Sequence, residues 1–133
     1  MSFEFVIDGP PVSQQARRRA RLREWISKVA NEAKSHWPED KLPVADPVMV
    51  KITYFYEDTP VDVDNIIKPI LDALKGMVFK DDSQVTDLLC RKRSLRDTIF
   101  EIPSDTSLNL LIRENEFLLI VVQDAPDQEV FNG

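Results

Sequence analysis

Residues 61–85 read VDVDNIIKPILDALKGMVFKDDSQV, a short extended segment, a helical pattern, a glycine and a pair of aspartates in succession. Asp62 and Asp64 stand two apart, and in an extended segment such residues point to one face. Asn65 opens a helical pattern whose apolar side carries Ile66, Ile67, Ile70, Leu71 and Leu74. Lys68 falls four residues after Asp64, one turn further on. Pro69 interrupts the first turn, which predicts a tight turn over 65–68 and a regular helix from Pro69 onward. Gly76 is placed to stop that helix. Asp81 and Asp82 then follow the apolar run Met77 to Phe79 and precede Ser83-Gln84-Val85.

Carboxylates brought together repel one another, and without a counter-charge one must take up a proton or the group must spread. A divalent cation removes that problem. Mg²⁺ takes hard oxygen ligands, keeps several waters, and is commonly held by one or two carboxylates plus a substrate phosphate. Such a metal polarises phosphorus, lowers the pKa of a water and steadies the leaving oxygen. Lys68 is placed to stabilise charge on the phosphate in the transition state. The chemistry these residues point to is metal-dependent hydrolysis of a nucleic-acid backbone. Plainer readings use the same residues: Asp64 or Asn65 as a helix N-cap, and Asp81-Asp82-Ser83 as a turn.

The block Asp62-x-Asp64-Asn65-x-x-Lys68-x-x-x-Asp72-Ala73-Leu74, followed by Gly76 and Asp81-Asp82-x-Gln84-Val85, resembles the signature of the RusA family of Holliday-junction resolvases, the crossover junction endodeoxyribonucleases. Gly9-Pro10-Pro11-Val12-Ser13 and the arginines after it are similar to the family's N-terminal segment. The resemblance implies a small homodimeric α+β nuclease. It implies Mg²⁺, with Mn²⁺ as a substitute, and paired symmetric cuts in a four-way DNA junction during recombination and repair. It implies catalytic, metal-binding roles for Asp62, Asp64 and Asp82, and an essential role for Lys68. Asp81, Asn65 and Gln84 stand beside them as further candidate ligands or supports, and Gln84 either binds the substrate or braces the aspartates. Asp72 belongs to the pattern too, and its expected role is structural, as an acid in the early helix.

Composition narrows the alternatives. The chain has 133 residues, enough for one domain with one core, and its 43% apolar content is ordinary for a globular protein. No apolar run has the length of a membrane span, and MSFEFVIDGPP lacks a signal pattern, so a cytoplasmic protein without membrane contact is expected. Cys90 and His36 each stand alone, which leaves zinc chemistry and Ser-His-Asp catalysis poorly supplied and makes oxygen the available metal ligand. Cys90 reads as a small buried apolar residue. Net charge is −6, which argues against a simple nucleic-acid binder. The charge is uneven, however. Residues 13–36 hold seven Arg or Lys against two Glu, and residues 101–133 hold one Arg against seven acids.

Along the chain, alternation predicts a strand over Phe3 to Ile7, ended by Gly9-Pro10-Pro11. Ser13 is the expected N-cap of a long helix to about Ser35, with Leu22, Trp25, Ile26, Val29 and Ala33 on its apolar side and Trp37-Pro38 closing it. Arg17, Arg18, Arg19, Arg21 and Arg23 crowd its start, where they oppose the helix dipole and repel one another. That cost points to an anionic partner, and DNA phosphate is the natural one; a solvated charged face is the alternative. Val48 to Tyr56 reads as a strand whose aromatics belong to the core, with base stacking as the rarer use. Gln84 to Leu95 reads as a long strand or two strands with a bend, and its Arg91, Lys92 and Arg93 are a second candidate DNA contact or a protective charged edge. A strand over Thr98 to Ile102, a helix capped by Ser104-Asp105 and a strand within Glu116 to Gln123 complete the list.

The expected fold is one α+β domain over residues 1–123, with a mixed sheet of four or five strands packed on two or three helices, and an acidic tail over 124–133. Two rival functions share the same residues. One is a metal-dependent nuclease acting on flap, other branched or single-stranded DNA. The other is a non-catalytic junction-binding protein whose aspartates form an ion-pair network with Lys68 and nearby arginines.

Overall fold

The computed structural model describes residues 1–58, 60–95 and 115–130. The strand expected at 98–102 and the helix expected after Ser104 lie outside these residues. The described chain forms four strands: β1 (Ser2–Asp8), β2 (Val48–Tyr56), β3 (Val85–Ser94) and β4 (Phe117–Asp124). It also forms two α-helices, α1 (Arg19–His36) and α2 (Val63–Leu74). The strands make one sheet in the order β1-β4-β2-β3. β4 pairs antiparallel with both β1 and β2, whereas β2 and β3 are parallel. Parallel neighbours need a crossover, and α2 supplies it. The α+β class, the mixed sheet and the strand positions agree with the sequence reading.

Alternation sets which face is buried. Phe3, Phe5 and Ile7 of β1 turn inward together with Val48, Val50, Ile52 and Tyr54 of β2 and Leu118, Ile120 and Val122 of β4. Trp25, Val29 and Ala33 of α1 and Ile66, Ile70 and Leu74 of α2 cover that face. The opposite face holds a smaller cluster of Phe55, Leu95 and Phe117, where the two phenyl rings stack with centroids 4.6 Å apart. The β2 aromatics Tyr54 and Phe55 are therefore core. The Tyr54 hydroxyl donates to Glu116 Oε1 at 2.8 Å, and burial together with that carboxylate raises its pKa well above the ordinary phenol value.

Both helices begin differently from the sequence expectation. Ser13 does not cap α1, which starts at Arg19 behind Arg18 without a side-chain cap bond. The intervening segment is committed elsewhere. Gly9 N–H donates to Glu116 O at 2.9 Å, Ser13 Oγ accepts from Gln15 N–H at 3.0 Å, and Gln14 N–H donates to Asn65 O at 3.0 Å. Ser13 thus closes a local turn of the kind hydroxyls favour.

α2 is regular through Pro69 rather than starting there; it runs from Val63 with Asp62 as N-cap. A proline in a helix removes the N–H that would bond the carbonyl four residues earlier. Here that carbonyl is Asn65 O, and Gln14 N–H takes the vacant place. The buried backbone therefore stays paired despite the proline. Beyond α2, Gly76 adopts φ +86°, which an L side chain would resist, and its N–H donates to Phe79 O at 2.7 Å.

At the C-terminal end, Asp124 closes β4 and pairs with the N-terminal amine, and residues 125–130 follow without regular structure. No helix among the described residues is long and apolar enough to cross a membrane.

Cys90 lies on β3 with its thiol 3.8 Å from Val63 O, and burial pushes its pKa from 9.0 to about 11. Alkylation at pH 8 is expected to run about a hundred-fold slower in the folded protein than in the denatured chain, because the thiolate is the reactive form. The linkage has a definite sign. The unfolded thiol ionises first, so this contribution to stability is complete below pH 9 and falls between pH 9 and about 11. Alkylation rates with and without denaturant, and unfolding followed across that pH range, check both statements.

Candidate active site

Lys68 projects from the middle of α2 and makes the central contact. Its Nζ stands 2.8 Å from Asp82 Oδ2 and 2.8 Å from Asp72 Oδ1. Hydrogen bonds to Asp72 and Asp82 raise the lysine's pKa above its ordinary value, so it stays a cation at neutral pH. The ammonium has three donors, and these contacts use two. Half of the side chain remains exposed. The other oxygen of Asp82, Oδ1, is buried and has no hydrogen-bond partner among the described residues. An unpartnered buried carboxylate oxygen is costly, and a native site that keeps one calls for a cation or a donor from outside.

Asp62 and Asp64 flank the start of α2. Both are exposed, and the Asp62 side chain makes no cap hydrogen bond although the residue occupies the N-cap position. Asp64 lies one turn before Lys68 on the same side of the helix. Among the described residues, no group of three or more Asp, Glu, His or Cys side chains stands close enough to hold a metal ion. The expected gathering of Asp62, Asp64 and Asp82 is not drawn tight here. At the start of α2 the Val63 carbonyl lies 3.8 Å from the Cys90 thiol on β3, whereas Asp82 precedes that strand. The pair that does meet is Lys68 and Asp82. The donor set nevertheless suits Mg²⁺, since it consists of hard carboxylate oxygens and includes the unpartnered Asp82 Oδ1.

Asp72 departs from its expected place. It lies in the last turn of α2, not the early helix, where the negative end of the helix dipole disfavours a carboxylate. Its partner is Lys68.

The turn that presents Asp82 is braced by its neighbours. Residues Asp82–Gln84 form a single 3₁₀ turn capped by Asp81, whose carboxylate accepts from Ser83 N–H at 3.0 Å. Hydrogen bonds from Ser83 and the nearby Lys75 bring the Asp81 carboxyl down to about 2. Gln84 Oε1 accepts from the N–H groups of Lys80 and Asp81 at 2.8 and 2.9 Å. Its Nε2 donates to Val44 O and Asp46 O at 2.7 and 3.0 Å. Of the two roles open to Gln84 in the sequence, these four bonds favour the brace. Gln84→Leu is expected to cost about 2 kcal/mol, near 1 kcal/mol for each bond that water does not replace. Gln84→Glu, which keeps the acceptor and loses the donor, should fall between. Urea unfolding of the two variants measures the difference.

The basic residues divide by what they already hold. Arg17 and Arg18 precede α1 and Arg21 and Arg23 lie on it, all exposed. Arg19 donates from Nη1 to Gln14 O at 2.9 Å and to Ala16 O at 3.4 Å, so it also braces the segment before the helix. Because Gln14 is tied to Asn65, that segment rests against the first turn of α2, beside Asp62 and Asp64. Asn65 enters the arrangement through its backbone. On β3, Arg91 donates to Thr53 Oγ1 at 2.9 Å and Arg93 to Lys92 O at 2.8 Å; both remain exposed, and Lys92 is half-buried.

Sequence reasoning missed the tie between Gln14 and α2, although Pro69 signalled it by leaving a carbonyl without its helical donor. It also missed Asp72 as the second partner of Lys68, although the spacing of four residues was in view.

Comparison with known proteins adds an independent line. A stretch of 34 residues is 53% identical to the "Uncharacterized protein YqaN" of Bacillus subtilis (strain 168), covering 26% of this chain and 24% of that protein. The match thus spans about a quarter of the relative's length, and its name gives no activity. A protein-family model described as "Endodeoxyribonuclease RusA" matches residues 9–102, which include the arginine segment, Asp62, Asp64, Lys68, Asp72, Asp82 and β3. With the greater part of its length matched, the chain belongs to the RusA endodeoxyribonuclease family.

Proposed function

We propose that this protein is a metal-dependent endodeoxyribonuclease that resolves four-way DNA junctions by paired symmetric cuts, acting as a homodimer in recombination and repair. The observation that carries the reading is the environment of Asp82: one oxygen paired with Lys68, the other buried and unpartnered among the described residues. Asp82, with Asp62 and Asp64, would hold Mg²⁺ or Mn²⁺, which when bound supplies Lewis acidity toward the phosphate and lowers the pKa of a coordinated water. Lys68 keeps its proton and directs a free donor toward a non-bridging phosphate oxygen, where negative charge grows in the transition state. Gln84 and Asp81 fix the turn that aims Asp82.

Arg17 and Arg18 beside the start of α2, with Arg21 and Arg23, follow the DNA backbone. Arg91, Lys92 and Arg93 on β3 do so from a second element. Phosphate contacts of this kind position a duplex without reading its bases, so junction preference rests on shape. One site cuts one strand. Symmetric paired cuts need two sites about a two-fold axis, which is the reason for the homodimer.

The test is cleavage of a labelled four-way junction beside a linear duplex of the same sequence, with Mg²⁺ and with EDTA. Symmetric cuts confined to the junction and abolished by EDTA are the expected result. Cutting of both substrates would leave a metal-dependent nuclease and remove the junction preference. Junction binding without cutting, under either Mg²⁺ or Mn²⁺, would remove the catalytic reading.

A further inference from the structure

Resting on the metal-dependent reading above, we propose that Asp72 is a positioning residue that holds Lys68 while a divalent cation takes the ammonium's place at Asp82. The Lys68 ammonium stands 2.8 Å from each of two carboxylates, Asp72 Oδ1 and Asp82 Oδ2. It is the cation that the two carboxylates share. A second cation entering at the buried Asp82 Oδ1 meets a like charge only one carboxylate away, and the two repel. With Asp82 as its sole anchor, the ammonium would either stay and oppose the metal or swing into solvent on its flexible stem. Asp72 offers a third course. The lysine gives up Asp82, keeps Asp72, and remains at hand for the phosphate.

Nothing in the helix itself calls for an acid at this position. Asp72 sits in the last turn of α2, where the dipole disfavours it. The order lysine then aspartate is also the weaker of the two i,i+4 arrangements. Its side chain is about one-third exposed, at 34%. The carboxylate is explained by what it does for Lys68.

The experiment measures Mn²⁺ binding to the whole protein without DNA, by the electron paramagnetic resonance signal of free Mn²⁺. It compares wild type, Asp72→Asn, Lys68→Gln and the double variant. Lys68→Gln removes the competing cation and is expected to tighten binding about three- to ten-fold, in keeping with coupling between touching charged groups. Asp72→Asn leaves the ammonium wholly on Asp82 and is expected to weaken binding by a similar factor. In the Lys68→Gln background the Asp72→Asn effect should largely vanish, and Asp72→Glu should restore wild-type affinity. A role confined to helix stability would shift the melting temperature and leave this cycle flat. Unchanged affinity in Asp72→Asn, or an undiminished effect in the double variant, overturns the role of Asp72 and leaves the metal reading standing. Wild-type protein that binds no Mn²⁺ overturns both. Asp72→Ser repeats the comparison if Asp72→Asn folds poorly.

Discussion

Asp82→Asn is expected to lower junction cleavage by roughly 10²–10³-fold while leaving the melting temperature equal to or above that of wild type. The two halves of this result come from one carboxylate. Asparagine matches its shape but carries no charge, so the group that would hold the metal is lost. For folding the same change is mild. Lys68 still has Asp72, and the oxygen that is buried without a partner among the described residues becomes part of a neutral amide. A carboxylate kept for stability would give the reverse pattern, with melting lowered and cutting little changed. Cleavage rate and thermal unfolding on the same preparation separate the two. The outcome also decides between an active nuclease and the alternative of a purely structural ion-pair network around Lys68.

Phe79→Ala is expected to cost about 3–5 kcal/mol, the range for deleting a fully buried phenyl ring. Phe79 has no exposed surface and packs in the main core, although it lies in the connection after α2 rather than in a strand or helix. Its ring anchors the link between Gly76, whose N–H donates to Phe79 O, and the turn that presents Asp82. Small domains are stable by only 5–15 kcal/mol, so this single change removes a large share of the margin. Melting should fall by roughly 10–25 °C. Cleavage measured well below that melting point should fall as well, because the residue that fixes the Asp81-Asp82 turn to the core is gone. Phe79→Leu, which retains most of the apolar volume, should recover most of both.

The strands were legible because their alternation is strong and local: Phe3, Phe5 and Ile7, or Val48, Val50 and Ile52, declare one buried face without knowledge of any partner. The expected site residues were chosen by spacing and residue type, and of these the structure brings Lys68 and Asp82 into contact. The helix starts were not. Ser13 has the chemistry of an N-cap, but the segment behind it is held by Glu116 and Asn65, residues far away in sequence. Pro69 has the chemistry of a helix start, but the carbonyl it leaves open is filled from that same segment. In both cases a distant hydrogen bond overrode a local preference, and a local pattern carries no trace of its distant partner. The relation between Asp62, Asp64 and Asp82 was hidden for a related reason. It depends on the heights at which α2 and the Asp82 turn meet β3, which sequence spacing does not encode.

Pro69 gives this helix an unusual economy. In an ordinary helix every interior carbonyl is consumed by the helix itself, and the element is indifferent to what passes beside it. Here one acceptor is released, and the arginine-bearing segment is the claimant that fills it. Local helical strength and the docking of a remote basic segment are thereby set against each other. Pro69→Ala would return an N–H to the helix, and that donor would compete with Gln14 N–H for Asn65 O and weaken its hold. Amide exchange at Gln14 should quicken even as α2 grows firmer, so a substitution chosen to strengthen the helix would loosen the segment that carries Arg17 and Arg18 to the site.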